Sequence, residues 1–154
     1  GFIFNYNNPL KLNVISTILS TLLPYAIWIV ANWSLTTLMD GKGKMIEIYT
    51  TTAYGLFPMI LINLIMIPFS HIMTKEQAAF YYFFLGLATV WSFALIFFGM
   101  LVIHEYTLGR NIGVTLLTFV GMGLIIFLGL LVLDLTGQMV NFVRALGREI
   151  QFRL

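Results

Sequence analysis

Charge is scarce in this chain and cysteine is absent. Asp, Glu, Lys and Arg make up 9% of its 154 residues, against roughly 25% in soluble domains. Without cysteine there can be no disulfide, thiolate metal site or thiol redox step, and the compartment leaves no redox trace in the sequence. The formal net charge is only +2, and no basic stripe exists to serve as a nucleic-acid footprint. What fills the chain instead is apolar: 60% of it is hydrophobic and 16% aromatic. A soluble domain of this length could not bury that much apolar surface.

The few charges are also segregated. All fourteen lie outside four stretches, residues 12–39, 48–74, 77–104 and 111–133, that carry none. Each stretch exceeds the roughly 20 apolar residues a helix needs to cross a hydrocarbon core about 30 Å thick. A charge left in that core costs several kcal/mol, so charges collect in the connections. The stretches are too long for barrel strands, and backbone polar groups in lipid must be satisfied internally, so helices follow. The expected fold is therefore all-α, a polytopic helical membrane protein. Its spans fall near 13–33, 50–70, 78–103 and 112–134, and residues 1–154 form one membrane domain.

Local features refine these spans. Phe2, Phe4 and Tyr6 alternate ahead of Pro9, as in a segment lying at headgroup level. Ser16 and Ser20, and later Ala88 and Ser92, are small residues at i,i+4 spacing, which lets helices approach closely in lipid. Gly121 offers the same on the fourth span. Pro24, Pro58 and Pro68 predict bends. Asn63, near the middle of the second span, reads as interhelical hydrogen-bonding glue, with a transporter-type polar site as the sharper alternative. Met45–Thr52 is polar at its start and is expected to lie along the interface. Beyond Asp134, Met139, Val143, Leu146, Ile150 and Leu154 line one face opposite Asn141, Arg144, Arg148 and Gln151. This pattern predicts a separate amphipathic helix over 137–154, on the membrane surface or against a partner.

Four crossings put both chain ends on one face, here called X. Face Y then carries the connection Asp40-Gly41-Lys42-Gly43-Lys44 and the connection His104–Arg110. Lys and Arg number five on X (Lys11, Lys75, Arg144, Arg148, Arg153) and three on Y (Lys42, Lys44, Arg110). The count slightly favours a cytoplasmic X, although it depends on the tail.

Catalytic and metal constellations are hard to build from these residues. His104-Glu105 opens HEYTL, but a zincin motif needs a second His where Leu108 stands. His71 falls on the opposite face, so the two histidines cannot share a metal. The expected role of His104 is a satisfied or interfacial histidine, with a proton-sensitive His104–Glu105 pair as the functional alternative. Gly41–Lys44 lacks phosphate-loop spacing and reads as a solvated turn. Asp40, Lys42 and Lys44, together with Arg144 and Arg148, remain candidate contacts for lipid headgroups or a partner. No catalytic, cofactor-binding or metal-binding residue is assigned.

The stretch Trp28–Pro58, WIVANWSLTTLMDGKGKMIEIYTTTAYGLFP, resembles the Ypt-interacting-protein (YIP) domain family of multispanning membrane proteins, and the bacterial branch in particular. Trp33 near a span end, LMDGKG at Leu38–Gly43, Tyr54-Gly55 and Pro58 carry the likeness, together with the later spacing of apolar segments. The resemblance implies five spans and a cytosolic N-terminus, and hence a further span upstream of Gly1, an external face X and a cytoplasmic face Y. It supplies no catalytic residues or cofactor. Eukaryotic relatives resemble trafficking adaptors that bind small GTPases and each other at the Golgi and endoplasmic reticulum. Bacterial members are associated with transport systems, including sugar-uptake ATP-binding-cassette transporters. The resemblance thus implies a non-enzymatic protein of the bacterial cytoplasmic membrane that binds other integral membrane proteins, as an accessory or scaffold subunit of a transport complex. A small transporter or channel is the reading from a different class.

Overall fold

In a computed structural model, residues 13–153 are described, except for the side chains at 147, 150, 152 and 153. The aromatic segment expected at residues 2–9 therefore lies outside the described residues, as do Leu154 and the side chain at 150 of the tail stripe. The helices are α1 (Val14–Leu38), α2 (Met45–Gly55), α3 (Phe57–Ile72), α4 (Ala78–Ile103) and α5 (Leu108–Arg153), with a short 3₁₀ turn at Lys75–Gln77. No strand occurs among the described residues. Four helical segments are long and apolar enough to cross a membrane: Val14–Leu38, Met45–Ile72, Lys75–Ile103 and Leu108–Leu146. The protein is an all-α polytopic membrane protein.

Asn13 starts α1 by accepting the amides of Ile15 and Ser16 at 3.1 and 3.3 Å, which satisfies two of the helix's orphan donors. The second span is two helices in series. Pro58 has no amide proton and sits in the first turn of α3. The break frees amides at membrane depth, where water cannot pair them. Ser92 of α4 accepts the Met59 amide at 3.1 Å. Gly55 approaches α4 so closely that a Cβ there would run into the Ile96 side chain.

Two sequence expectations change here. Met45–Thr52 is not a separate surface segment: it forms most of α2, which packs on α4 and buries Ile48 and Thr52. Residues 137–154 do not begin a new helix either, because α5 continues through Asp134 without a break. At 1.5 Å per residue, α5 is about 69 Å long, more than twice the thickness of a hydrocarbon core.

Packing is uneven. The core joins Trp28 and Ile29 of α1, Ile48 of α2 and Met100 of α4, all in the half of the bundle nearer face Y. Toward X, α1 from Val14 to Leu23 is largely exposed, as is α5 from Leu124 onward. The backbones of α1 and α3 stay apart, and the Tyr25 hydroxyl of α1 reaches across to the Met59 sulfur of α3 at 4.0 Å. Toward X, α3 still packs on α4 and buries Met66 and Ser70, so the bundle is closed at Y and opens toward X along α1 and α5.

Candidate functional site

The two connections on face Y, fifty residues and more apart in sequence, form one polar assembly. Both α1 and α4 end in the same way. The chain turns through a left-handed residue, Asp40 after α1 and Glu105 after α4, each with φ 53°. The next amide then returns to the helix: Gly41 to the Thr36 carbonyl at 2.7 Å, and Tyr106 to Leu101 at 3.1 Å. This is the Schellman closure, and it satisfies carbonyls the helix end would otherwise orphan. It also aims the two connections at each other.

His104 stands at their meeting point and is 2% exposed. Its Nδ1 accepts the Gly43 amide at 3.1 Å. An acceptor at Nδ1 leaves the proton of a neutral ring on Nε2, which lies 3.4 Å from Asn32 Oδ1. The Asn32 side-chain amide donates to Thr118 Oγ1 at 3.3 Å, and the Thr118 hydroxyl donates to the Val114 carbonyl at 2.8 Å. Asn32 and Thr118 are 1% and 0% exposed. A one-way chain of hydrogen bonds thus runs from the α1–α2 connection through α4 and α1 into α5. Every buried polar group along it is paired, as a low-dielectric interior requires.

Around this chain the packing is tight. A Cβ on Gly43 would stand 2.7 Å from His104 Cε1, and one on Gly41 would stand 2.8 Å from His104 Nδ1 and 2.5 Å from the Tyr106 hydroxyl. The Tyr106 ring stacks on His104 with centroids 5.2 Å apart, and its hydroxyl donates to the Met39 carbonyl at 3.3 Å. Arg110 lies over the Tyr106 ring, 4.7 Å from its centroid, and also donates to the Met39 carbonyl. Lys42 and Glu105 form an exposed ion pair. Glu47 closes the first turn of α2 by accepting the Lys44 amide at 2.7 Å. Burial pushes the His104 imidazole below its ordinary value of 6.5, with Glu47 opposing. Burial raises the Tyr106 phenol, Arg110 opposes this, and Asp40 adds to it.

The structure redistributes the candidates read from sequence. His104 and Glu105 do not act as a pair: the ring turns inward, while the carboxylate turns out to Lys42. The DGKGK segment is no freely solvated turn, because its glycines pack against His104. Ala88 and Ser92 are buried on α4, and Gly121 faces Leu35 and Ala31 of α1. Ser16 and Ser20 stay exposed, and Ser20 donates to its own helix at Thr17. Asn63 is not interhelical glue here, since its amide donates to the Met59 carbonyl one turn back, at 2.7 Å. Asp40, Lys42, Lys44, Arg144 and Arg148 are all exposed. Asn32, Tyr106 and Thr118 were missed from sequence. An Asn and a Thr inside charge-free spans were the available signal, but nothing showed that they faced each other.

A second feature lies nearer the membrane centre. Pro24, Tyr25, Trp28, Phe93 and Phe119 surround an apolar cavity of about 170 Å³. The Trp28 ring lies 5.6 Å from Phe119, and its buried indole N–H has no hydrogen-bond partner among the described residues. No group of three or more His, Asp or Glu side chains among those residues is placed to hold a metal.

Comparison with curated proteins and with solved structures returns no match. The Yip1 domain family does match, over residues 2–131. That range covers the first connection, the paired second connection and all four apolar segments up to the exposed half of α5. The chain therefore belongs to the Yip1 domain family of membrane proteins.

Proposed function

We propose that this protein is non-enzymatic and works by binding other membrane proteins through its transmembrane helices. The observation that carries this reading is the bundle's one-sided closure. At face Y the helices are locked by a paired polar network, while toward X they offer unfilled surface. Between α1 and α3 runs a groove of about 430 Å³ lined by Leu22, Tyr25, Met59, Asn63 and Leu64 among others. Ser16 and Ser20 lie exposed on the X-side half of α1. Small residues at this spacing let a second helix come close, and in lipid such packing, not a hydrophobic drive, is what holds helices together.

In a bacterium the partner would be an integral subunit of a transport complex, such as a sugar ATP-binding-cassette transporter, with this chain as accessory or scaffold subunit in the cytoplasmic membrane. In a eukaryotic membrane the same surface would suit a trafficking adaptor. Asp40, Lys42 and Lys44 on one face, and Arg144 and Arg148 on the other, give second contacts to a partner or to lipid phosphates.

Purification of the native protein in mild detergent tests this. A stoichiometric membrane-protein partner, lost on Ser16→Leu with Ser20→Leu, is the expected result. A solitary monomer would overturn the reading. The rival reading, a small transporter using the Asn63-lined groove, requires solute flux in liposomes that disappears in Asn63→Leu.

A further inference from the structure

We propose that His104 is a proton-released latch, holding the two face-Y connections together when neutral and letting them part when protonated. This goes beyond the binding role and does not depend on it. The geometry accepts one form of the imidazole. Gly43 N–H points at Nδ1, so that nitrogen must carry a lone pair, while Nε2 must carry the proton it offers to Asn32. A second proton can go only to Nδ1. There it would face the Gly43 amide, donor against donor, and the hydrogen bond joining the connections would be lost. The ring has little room to turn away, because Gly41 and Gly43 lie against it on one side and Tyr106 stacks on it.

The surrounding charges do not rescue the protonated form. From α2, Glu47 favours the cation, and burial outweighs it. From the α1–α2 connection come Asp40, Lys42 and Lys44. From the α4–α5 connection comes Glu105, already paired with Lys42. Arg110 of α5 sits over Tyr106 and adds positive charge. α1 itself contributes Asn32 and Thr36, which are neutral.

The direction with pH follows by linkage. The closed-state value lies below 6.5. In an opened state the ring would titrate near its ordinary value, about 6.5. Well above that pH the ring is neutral in both states, and the latch acts in full. As pH falls below it, the opened state takes up a proton that the closed state excludes. Opening then becomes progressively easier until the closed-state value is reached. Release would free Lys42, Glu105 and the Gly43 amide on face Y, where a partner could meet them.

The chain has no cysteine, so spin labels can be placed on Lys44→Cys and Thr107→Cys, one exposed position on each connection, in the full chain in nanodiscs. The expected result is a short, narrow distance distribution at pH 8 that lengthens and broadens by pH 5, with a midpoint below 6.5. In His104→Gln, which cannot take up a proton, the distribution should not move between these pH values. An unchanged distance in the unsubstituted background overturns the proposal, and so does the same pH response in His104→Gln. Should that variant fail to fold, nitrogen-15 histidine spectra of the protein with His71→Gln decide the matter. A neutral ring protonated at Nε2 that titrates below 6.5 sustains the latch, whereas one protonated at Nδ1, or titrating at 6.5 or above, sinks it.

Discussion

Two asparagines within the apolar spans separate sharply at the scale of single residues. Asn32 joins His104 to Thr118 across three helices, so Asn32→Leu strands the buried His104 Nε2–H and takes from Thr118 Oγ1 the donor it accepts. The expected cost is about 1–3 kcal/mol, read as a lower midpoint in detergent-titrated unfolding. Asn63 bonds only to its own helix. Asn63→Leu should therefore move the same midpoint by less than about 0.5 kcal/mol. Similar losses for the two would show that the network carries no special weight. Gly43 is the other decisive position. Its backbone is not left-handed, so Gly43→Ala meets no torsional penalty and fails, if it fails, by overpacking His104. That should cost about 1–3 kcal/mol, and Thr36→Ser nearby is a fitting control. Composition had marked the Asp40–Lys44 segment correctly as a turn. It could not show that a histidine sixty residues later fills the space left by the missing Cβ atoms.

Among the elements, α5 divides most clearly into a packed half and a free half. Its residues to about Gly121 lie against α1, while Leu124 to Leu146 are mostly exposed. Removing residues 140–154 should thus leave the unfolding midpoint within about 0.5 kcal/mol of the full chain, while abolishing any association that the exposed tail supports. A large loss of stability would mean that the tail packs on the bundle. The amphipathic pattern after Asp134 was visible in sequence, but its continuity with α5 was not, because Asp134 looked like a span boundary. Asp134 accepts from Gln138 one turn on, at 2.9 Å, so the charge sits within the helix as comfortably as at its end. The break between α2 and α3 was half legible. Pro58 announced it, and Ser92 on another helix is what makes it tolerable.

For the molecule as a whole, the pairing of the connections fixes that Lys42 and Glu105 share a face, but not which compartment that face meets. Single-cysteine variants at Lys42 and at Arg148 should label from opposite sides of intact membranes with an impermeant maleimide, and the cytoplasmic face Y that the sequence resemblance implies would put position 42 inside. Labelling of position 42 from outside would reverse that assignment. Labelling of both from one side would contradict the three crossings between them.

The sequence by itself determined membrane residence, the helical fold and the four apolar segments. Lipid excludes charge and unpaired backbone so strongly that one-dimensional patterning is enough. It also separated His71 from His104. Only the tertiary structure decided which polar residues meet: Asn32, His104 and Thr118 lie far apart in sequence and are each unremarkable alone. Their pairing follows from helix ends turning toward one another and from glycines that admit the ring. No residue-by-residue preference encodes that, because the stabilisation exists only when all the partners are present.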